Sequence, residues 1–101
     1  MMTDESVPIR ADVAWRNIDG NAIVVRPTEG VLYPLNSVAT QIWLLADGTR
    51  TVADIIETLI TEFEGEADII RQDALLFLEE LEKASLIKKN QKESMVSEKM
   101  E

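Results

Sequence analysis

The segment from Thr51 to Phe63 constrains the fold more than any other part of the chain. Its apolar residues are spaced alternately three and one positions apart, which is the pattern of a helix with one apolar face. They are Val52, Ile55, Ile56, Leu59, Ile60 and Phe63. The residues Thr51 to Asp54 also have the sequence of a capping box, in which two side chains satisfy N–H groups of the first turn. The sequence therefore predicts an amphipathic helix here, and Gly65 ends it.

Two further helices are predicted, one on each side of this element. Asn36 can cap a helix over Ser37 to Ala46, because its side-chain oxygen can accept an N–H of the first turn. Gly48 follows and can adopt the left-handed conformation in which many helices end. The third helix is predicted from about Asp68 to Ala84, so that only a short turn separates it from the second helix.

The third helix carries apolar residues on two faces. One face is apolar throughout and consists of Ile70, Ala74, Phe77, Leu78 and Leu81. The second face mixes apolar and acidic residues and consists of Ile69, Asp73, Leu76 and Glu80. Two interpretations follow from this wide apolar arc. Either both faces lie in the core, or Leu76, flanked by two carboxylates, borders a groove.

Three short strands are predicted before the helices, over Val13–Ile18, Ala22–Arg26 and Val31–Leu35. The first two flank an Asp-Gly pair, which is the strongest short-range signal for a tight hairpin. The segment Pro27 to Gly30 predicts a second turn, so the three strands would form an antiparallel meander. An N-terminal three-stranded antiparallel sheet followed by three helices predicts an α+β fold of the winged helix-turn-helix type.

The composition removes most routes to catalysis. The chain has no cysteine and no histidine, which excludes thiolate chemistry, Ser/His/Asp triads and the commonest zinc ligands. Carboxylates cluster at Glu62, Glu64 and Glu66 and at Glu79, Glu80 and Glu82. A domain of this size offers little cleft for an acid/base pair, so these groups are interpreted as solvated helix faces. A glycine-rich phosphate loop and a calcium-type acidic spacing are both missing from the sequence. We expect no catalytic residue, no metal ion and no cofactor.

The charge of the chain argues against nucleic acid and membrane partners. There are 10 basic and 19 acidic residues, which gives a net charge of −9 at pH 7. A domain this acidic repels phosphate backbones and anionic lipids. A DNA-reading helix also needs arginine, lysine, asparagine or glutamine at its surface, whereas the third helix is mainly acidic. We therefore expect the common DNA-binding use of a winged helix not to apply.

The organisation of the chain is predicted to be simple. A length of 101 residues favours one domain with one modest core. We expect a flexible N-terminal arm over residues 1–12, a folded domain over residues 13–87 and a disordered tail over residues 88–101, because arm and tail are polar and lack periodicity. The sequence contains no apolar run of membrane-spanning length and no secretory signal. The absence of cysteine fits a reducing compartment, and we expect a cytoplasmic protein.

Pro34 indicates which strand lies at the edge of the predicted sheet. Proline cannot donate to a strand ladder, so it belongs on an edge strand or at the end of a strand. Main-chain groups of successive residues point to opposite sides, and the row of Leu32 and Pro34 is therefore predicted to face outward. A proline on such an edge can prevent the strand from pairing with other chains and so protect the protein from aggregation. It can also accept a guest strand through the N–H and C=O of Leu32 and the C=O of Pro34.

From Leu35 to Ile87 the sequence resembles the PqqD family. The matching residues, taken in order along the chain, are Leu35, Asn36, Ala39, Ile42, Asp47, Gly48, Thr51, Ile55, Leu59, Phe63, Asp73, Phe77, Leu78 and Leu81. The three predicted strands before this segment also fit the family. One departure is Ser85, which stands where the family often has a glycine, and it leaves the end of the third helix open.

The resemblance implies a non-catalytic winged-helix domain that binds the leader of a ribosomally made precursor peptide. Such a domain presents the peptide to a modifying enzyme, which is a radical SAM enzyme in the pyrroloquinoline quinone (PQQ) pathway. The leader would add to the third strand and lie against the third helix. By position this implicates Val31, Leu32, Tyr33, Pro34, Leu35, Asp73, Leu76, Phe77 and Glu80 as peptide-binding residues. The expected partners are thus a precursor peptide and a radical SAM or other peptide-modifying enzyme.

Two alternatives from other functional classes stay open at this point. One is a winged-helix DNA-binding regulator. The other is a homo-oligomerisation module, in which the same strand edge pairs with its copy in a second chain. For the peptide adaptor itself, a monomer or a weak homodimer is expected.

Overall fold

The computed structural model of the protein describes residues 2–26 and 30–90. These residues form five strands and three helices. In chain order they are β1 (Pro8–Arg10), β2 (Trp15–Ile18), β3 (Asn21–Arg26), β4 (Val31–Pro34), α1 (Ser37–Leu45), α2 (Val52–Glu62), α3 (Ala67–Lys83) and β5 (Ile87–Lys89). The predicted α+β class, with a three-stranded antiparallel sheet before three helices, is confirmed. None of the helices in this described part has the length and apolar content needed to span a bilayer.

The three-stranded sheet is the predicted meander, in the order β2-β3-β4. Asp19 and Gly20 have φ values of 56° and 90°, which are the left-handed conformations that a tight hairpin turn between twisted strands requires. Trp15, Val24 and Tyr33 lie opposite one another across the three strands. Val24 is fully buried, so this row marks the face of the sheet that packs on the core.

Helices α1 and α2 begin where their capping residues predict. The Asn36 side chain accepts the N–H of Ala39 at 2.8 Å, and both hydrogen bonds of the capping box between Thr51 and Asp54 are formed. The α2 stripe packs against α1 and α3 around buried Trp43, Leu59 and Leu78. The fully apolar face of α3 contributes Ala74, Leu78 and Leu81 to this core, and its other two residues are partly buried against it.

The prediction of a loose arm over residues 1–12 is wrong for the part of it that the structure describes. Strand β1 pairs antiparallel with β5, with Pro8 opposite Lys89, and Met2 is buried. The carbonyl of Ser6 also accepts the N–H of Val52 at 2.8 Å. These contacts are mainly between backbone groups, and backbone pairing leaves no periodic pattern of side chains in a three-residue strand.

The predicted boundary of the tail also needs correction. Lys88 and Lys89 belong to β5, and the N–H of Asn90 donates to the carbonyl of Val7 at 2.7 Å. Pairing with β1 stabilises these polar residues, although they bury little apolar surface. The rest of the predicted tail lies outside the described residues.

Helix α3 ends in a left-handed residue that is not glycine. Ser85 has a φ of 64°, its N–H donates to the carbonyl of Glu82 at 3.0 Å, and the N–H of Leu86 donates to the carbonyl of Leu81 at 2.9 Å. This pair of hydrogen bonds is the Schellman motif, in which glycine is the favoured residue at the left-handed position. The end of α3, left open by the sequence, is therefore at Lys83 with Ala84 as its cap.

Replacing Ser85 with glycine should stabilise the protein. A left-handed conformation costs an L-residue roughly 1–2 kcal/mol, and the greater chain entropy of unfolded glycine offsets part of the gain. We expect an increase of about 0.5–1 kcal/mol in the free energy of unfolding, measured by thermal or urea unfolding. Ser85→Ala is the matched control, because alanine keeps the Cβ atom. An equal gain in both variants would contradict the explanation.

Candidate functional site

Strand β4 presents an open row of main-chain groups. The N–H of Leu35 donates to the carbonyl of Ala22 at 2.8 Å, so the main-chain groups of Leu35 and of alternate residues before it face β3. Val25 lies opposite Leu32, and its N–H points toward β2, where it donates to the carbonyl of Ala14 at 2.9 Å. The N–H and C=O of Leu32 and the C=O of Pro34 therefore point away from the sheet. No strand of the described chain lies beyond them.

The side chains of β4 are exposed except for that of Tyr33, and the residue that follows the strand is buried. Val31 and Leu32 are 43% and 59% exposed, Tyr33 is half-buried against the core, and Leu35 is only 6% exposed. Leu32 and Pro34 lie on the outer face of the sheet, opposite the core. The strand is thus anchored at its C-terminal end and open to solvent at its N-terminal end.

Thr40 anchors that end, although sequence reasoning gave it no role. It lies in the first half of α1 and is 1% exposed. Its hydroxyl oxygen accepts the N–H of Ala22 at 2.8 Å, and the hydroxyl lies 3.4 Å from the carbonyl of Leu35, to which it donates. The hydroxyl therefore stands between β3 and β4 where the direct ladder would otherwise continue. This contact fixes α1 relative to the edge strand.

Replacing Thr40 with valine should destabilise the fold, because valine has the same shape but leaves the buried N–H of Ala22 without a partner. We expect a loss of about 1–2 kcal/mol in the free energy of unfolding. Thr40→Ser keeps the hydroxyl and should protect the Ala22 amide from hydrogen exchange as the wild type does, whereas exchange should be faster in Thr40→Val. Unchanged exchange at Ala22 in the valine variant would contradict this role.

A groove with a volume of about 540 Å³ opens next to the end of β4. It lies between α1, the loop from α2 to α3, and α3. Its lining consists of Asn36, Val38, Ala39, Ile42, Phe63, Glu64, Gly65, Glu66, Ile69, Ile70, Asp73, Ala74, Leu76, Phe77 and Glu80. Ile69 and Leu76 are 53% and 58% exposed, so the mixed face of α3 lies outside the core.

The structure brings together four of the nine predicted site residues. Asp73, Leu76, Phe77 and Glu80 line one groove. The five residues from Val31 to Leu35 do not line it, but Asn36 follows them directly and does. Strand β4 is thus connected through Leu35 to a residue of the groove lining.

Most of the groove lining was missed by sequence reasoning. For Ile69 there was a signal, since it shares the mixed face of α3 with Asp73 and Leu76. For Val38 and Phe63 the sequence contains no signal that distinguishes a position in a groove from a position in the core. Both belong to apolar stripes that predict burial, and only the packing of α1 against α3 leaves a gap beside them.

All ionisable side chains that line the groove are acidic. They are Glu64, Glu66, Asp73 and Glu80. Within the described residues no group of three or more acidic side chains is arranged to hold a metal ion. The groove therefore combines an apolar floor with negatively charged borders.

The pKa of Asp47, in the loop between α1 and α2, is lowered from its usual value. The Thr49 hydroxyl donates to its carboxylate at 2.6 Å, and partial desolvation opposes this effect. The Thr49 N–H and the guanidinium of Arg50, 2.8 Å from the other oxygen, lower the pKa further. These bonds order the loop and lie outside the groove.

An open strand edge next to an apolar groove is a recurring geometry of peptide-recognition domains. The family model of coenzyme PQQ synthesis protein D (PqqD) matches residues 21–87 of the chain. The chain therefore belongs to the PqqD family, and the resemblance read from the sequence is confirmed. A search of curated protein sequences finds no significant match.

Two solved structures share the fold. TbiB1 in complex with the TbiA(beta) leader peptide is 24% identical, with a TM-score of 0.69 over 79% of this chain and 94% of that chain. Lasso peptide synthetase B1 complexed with the leader peptide is 17% identical, with a TM-score of 0.72 over 82% of this chain and 99% of that chain. At these identities the likeness establishes a common fold.

Proposed function

We propose that this protein is a non-catalytic adaptor for a ribosomally synthesised and post-translationally modified peptide. It binds the leader segment of the precursor by adding it as a strand to β4, and it presents the peptide to a modifying enzyme. The observation that carries the proposal is the outward row of main-chain groups at Leu32 and Pro34, in a strand that leads through Leu35 to Asn36 in the lining of the groove. Strand addition uses main-chain hydrogen bonds for affinity and side-chain pockets for specificity.

The comparisons support this proposal at the level of the family and the fold. Both structural neighbours carry a leader peptide. The family takes its description from coenzyme PQQ synthesis. We further propose that the partner is a radical SAM enzyme or another peptide-modifying enzyme. We also propose that the domain is a winged helix-turn-helix and that the protein acts in the cytoplasm.

The side chains that the chain offers agree with an adaptor role. The sequence contains no histidine or cysteine, and the groove offers only carboxylates. In the proposed complex the N–H and C=O of Leu32 and the C=O of Pro34 supply the hydrogen bonds of the peptide-binding segment over residues 31–35. Asp73, Leu76, Phe77 and Glu80 contact the guest side chains.

Titration with leader peptides tests the proposal directly. Precursor peptides encoded next to the gene for this protein supply the leaders, and the amide NMR shifts of the labelled protein supply the readout. Trp43 is fully buried, so tryptophan fluorescence is the less direct probe. We expect shifts at residues 31–35 and along the groove side of α3, and none with a scrambled peptide. Shifts confined to other surfaces, or equal shifts with the scrambled peptide, would contradict the binding mode.

A further inference from the structure

We infer that the groove selects guest segments in which lysine or arginine alternates with apolar residues. This inference rests on the proposed function and adds the chemical class of the guest. It is drawn from the charge and spacing of the exposed side chains along α3.

The groove side of α3 carries a regular stripe. Glu66, Ile69, Asp73, Leu76 and Glu80 all line the groove and are all exposed. They are three, four, three and four positions apart, which keeps the four residues within α3 on one side of the helix, and Glu66 is its N-cap residue. Carboxylates and large apolar side chains therefore alternate along the groove.

No basic residue lines this groove. Arg71 lies on α3 but is engaged elsewhere, since its guanidinium donates to the Asp4 carboxylate at 2.7 Å. A guest that brings its own lysine or arginine would thus meet carboxylates without competition from a cation of the groove lining. A guest with acidic residues at those positions would meet like charges.

The spacing of the stripe fits an extended guest. Successive stripe positions are roughly 5 Å apart along the helix axis, from a rise of 1.5 Å per residue. Side chains on one face of a strand are roughly 6.6 Å apart. A guest strand that runs along α3 would therefore stay roughly in step with three successive stripe positions, such as Asp73, Leu76 and Glu80. The expected pattern is basic, any, apolar, any, basic.

Each exposed ion pair contributes little by itself, at most about fivefold in affinity. Selectivity comes from several pairs acting together and from repulsion of the wrong charge. Because the pairs are exposed, salt should weaken them, and the preference for basic guests should decrease with ionic strength.

Selection from a random peptide library tests the inference, and it does not require the natural guest to be identified. A library of twelve random residues in mRNA display is selected against the immobilised full-length protein at low salt. We expect enrichment of peptides with basic and apolar residues at alternate positions of one strand face. Enriched peptides without an excess of lysine and arginine would overturn the charge inference and leave the peptide-adaptor proposal standing. A pool with no enriched sequence would overturn both.

Charge reversal separates the groove from the net charge of the protein. Asp73→Lys with Glu80→Lys should weaken binding of an enriched basic peptide about tenfold. The matched control is Glu5→Lys with Glu57→Lys, which makes the same charge change at exposed positions that do not line the groove. We expect binding by the control within about twofold of the wild type.

Equal losses in the two charge-reversed proteins would overturn the assignment to the groove. Asp73→Asn with Glu80→Gln keeps the side-chain shapes and should give an intermediate loss. Circular dichroism verifies that each variant is folded. A neutral variant that binds the basic peptide as tightly as the wild type would also contradict the inference.

Discussion

Replacing Leu32 with proline should weaken binding of the leader peptide on the order of a hundredfold while leaving the domain folded. The N–H of Leu32 points away from β3, so proline removes a donor that only the guest uses. The ring also occupies the space that a guest carbonyl would approach. Pro34 already stands in the same outward row, which shows that the edge tolerates this residue type. Isothermal titration with the natural leader gives the affinity.

Leu32→Ala is the matched control for this experiment. It removes the same exposed side chain and keeps the N–H, so it should bind within a few-fold of the wild type. Equal losses in both variants would mean that the leucine side chain, and not strand addition, carries the affinity. Sedimentation of the peptide-free proteins serves as a second control, because the same edge could pair with a second copy of the chain. A stable dimer of the wild type that Leu32→Pro dissociates would favour the homo-oligomer instead.

Replacing Gly48 with alanine should lower the free energy of unfolding by about 2–3 kcal/mol. Gly48 has a φ of 86°, where a Cβ atom is strained, and that Cβ would lie 2.8 Å from the Cδ1 atom of Ile9. The N–H and the carbonyl of Gly48 are also both hydrogen-bonded. Its N–H donates to the carbonyl of Pro8 at 2.9 Å, and its carbonyl accepts from the Asn90 side chain at 3.0 Å. The residue thus holds β1 and β5 against the end of α1.

Gly20→Ala is the control that isolates the contact with β1. Gly20 has a similar φ of 90°, and nothing lies within 4 Å of its added Cβ. It should lose only the left-handed strain, about 1 kcal/mol. Thermal unfolding followed by circular dichroism measures both variants. Equal destabilisation at the two positions would show that Ile9 moves aside without loss and that β1 contributes little at this point.

Local patterns predicted the main elements because each of those elements is short-range. The capping box at Thr51, the helix stripe that follows and the Asp-Gly turn at residue 19 all act between residues close in sequence. Main-chain groups of successive strand residues point to opposite sides, and this alternation predicted that those of Leu32 and Pro34 face outward. The sequence also shows the mixed face of α3. Whether that face lies in the core or on a groove depends on which elements pack against it.

The sequence by itself determined three strands, three helices, an acidic surface and the absence of histidine and cysteine chemistry. Only the tertiary structure decided that residues 8–10 pair with residues 87–89, that Thr40 bonds β3 and β4, and that Phe63 and Val38 line a groove. The physical reason is the range of the interactions. Capping and amphipathic periodicity leave a record in neighbouring residues, whereas backbone pairing between distant segments and the gap left between packed helices leave none.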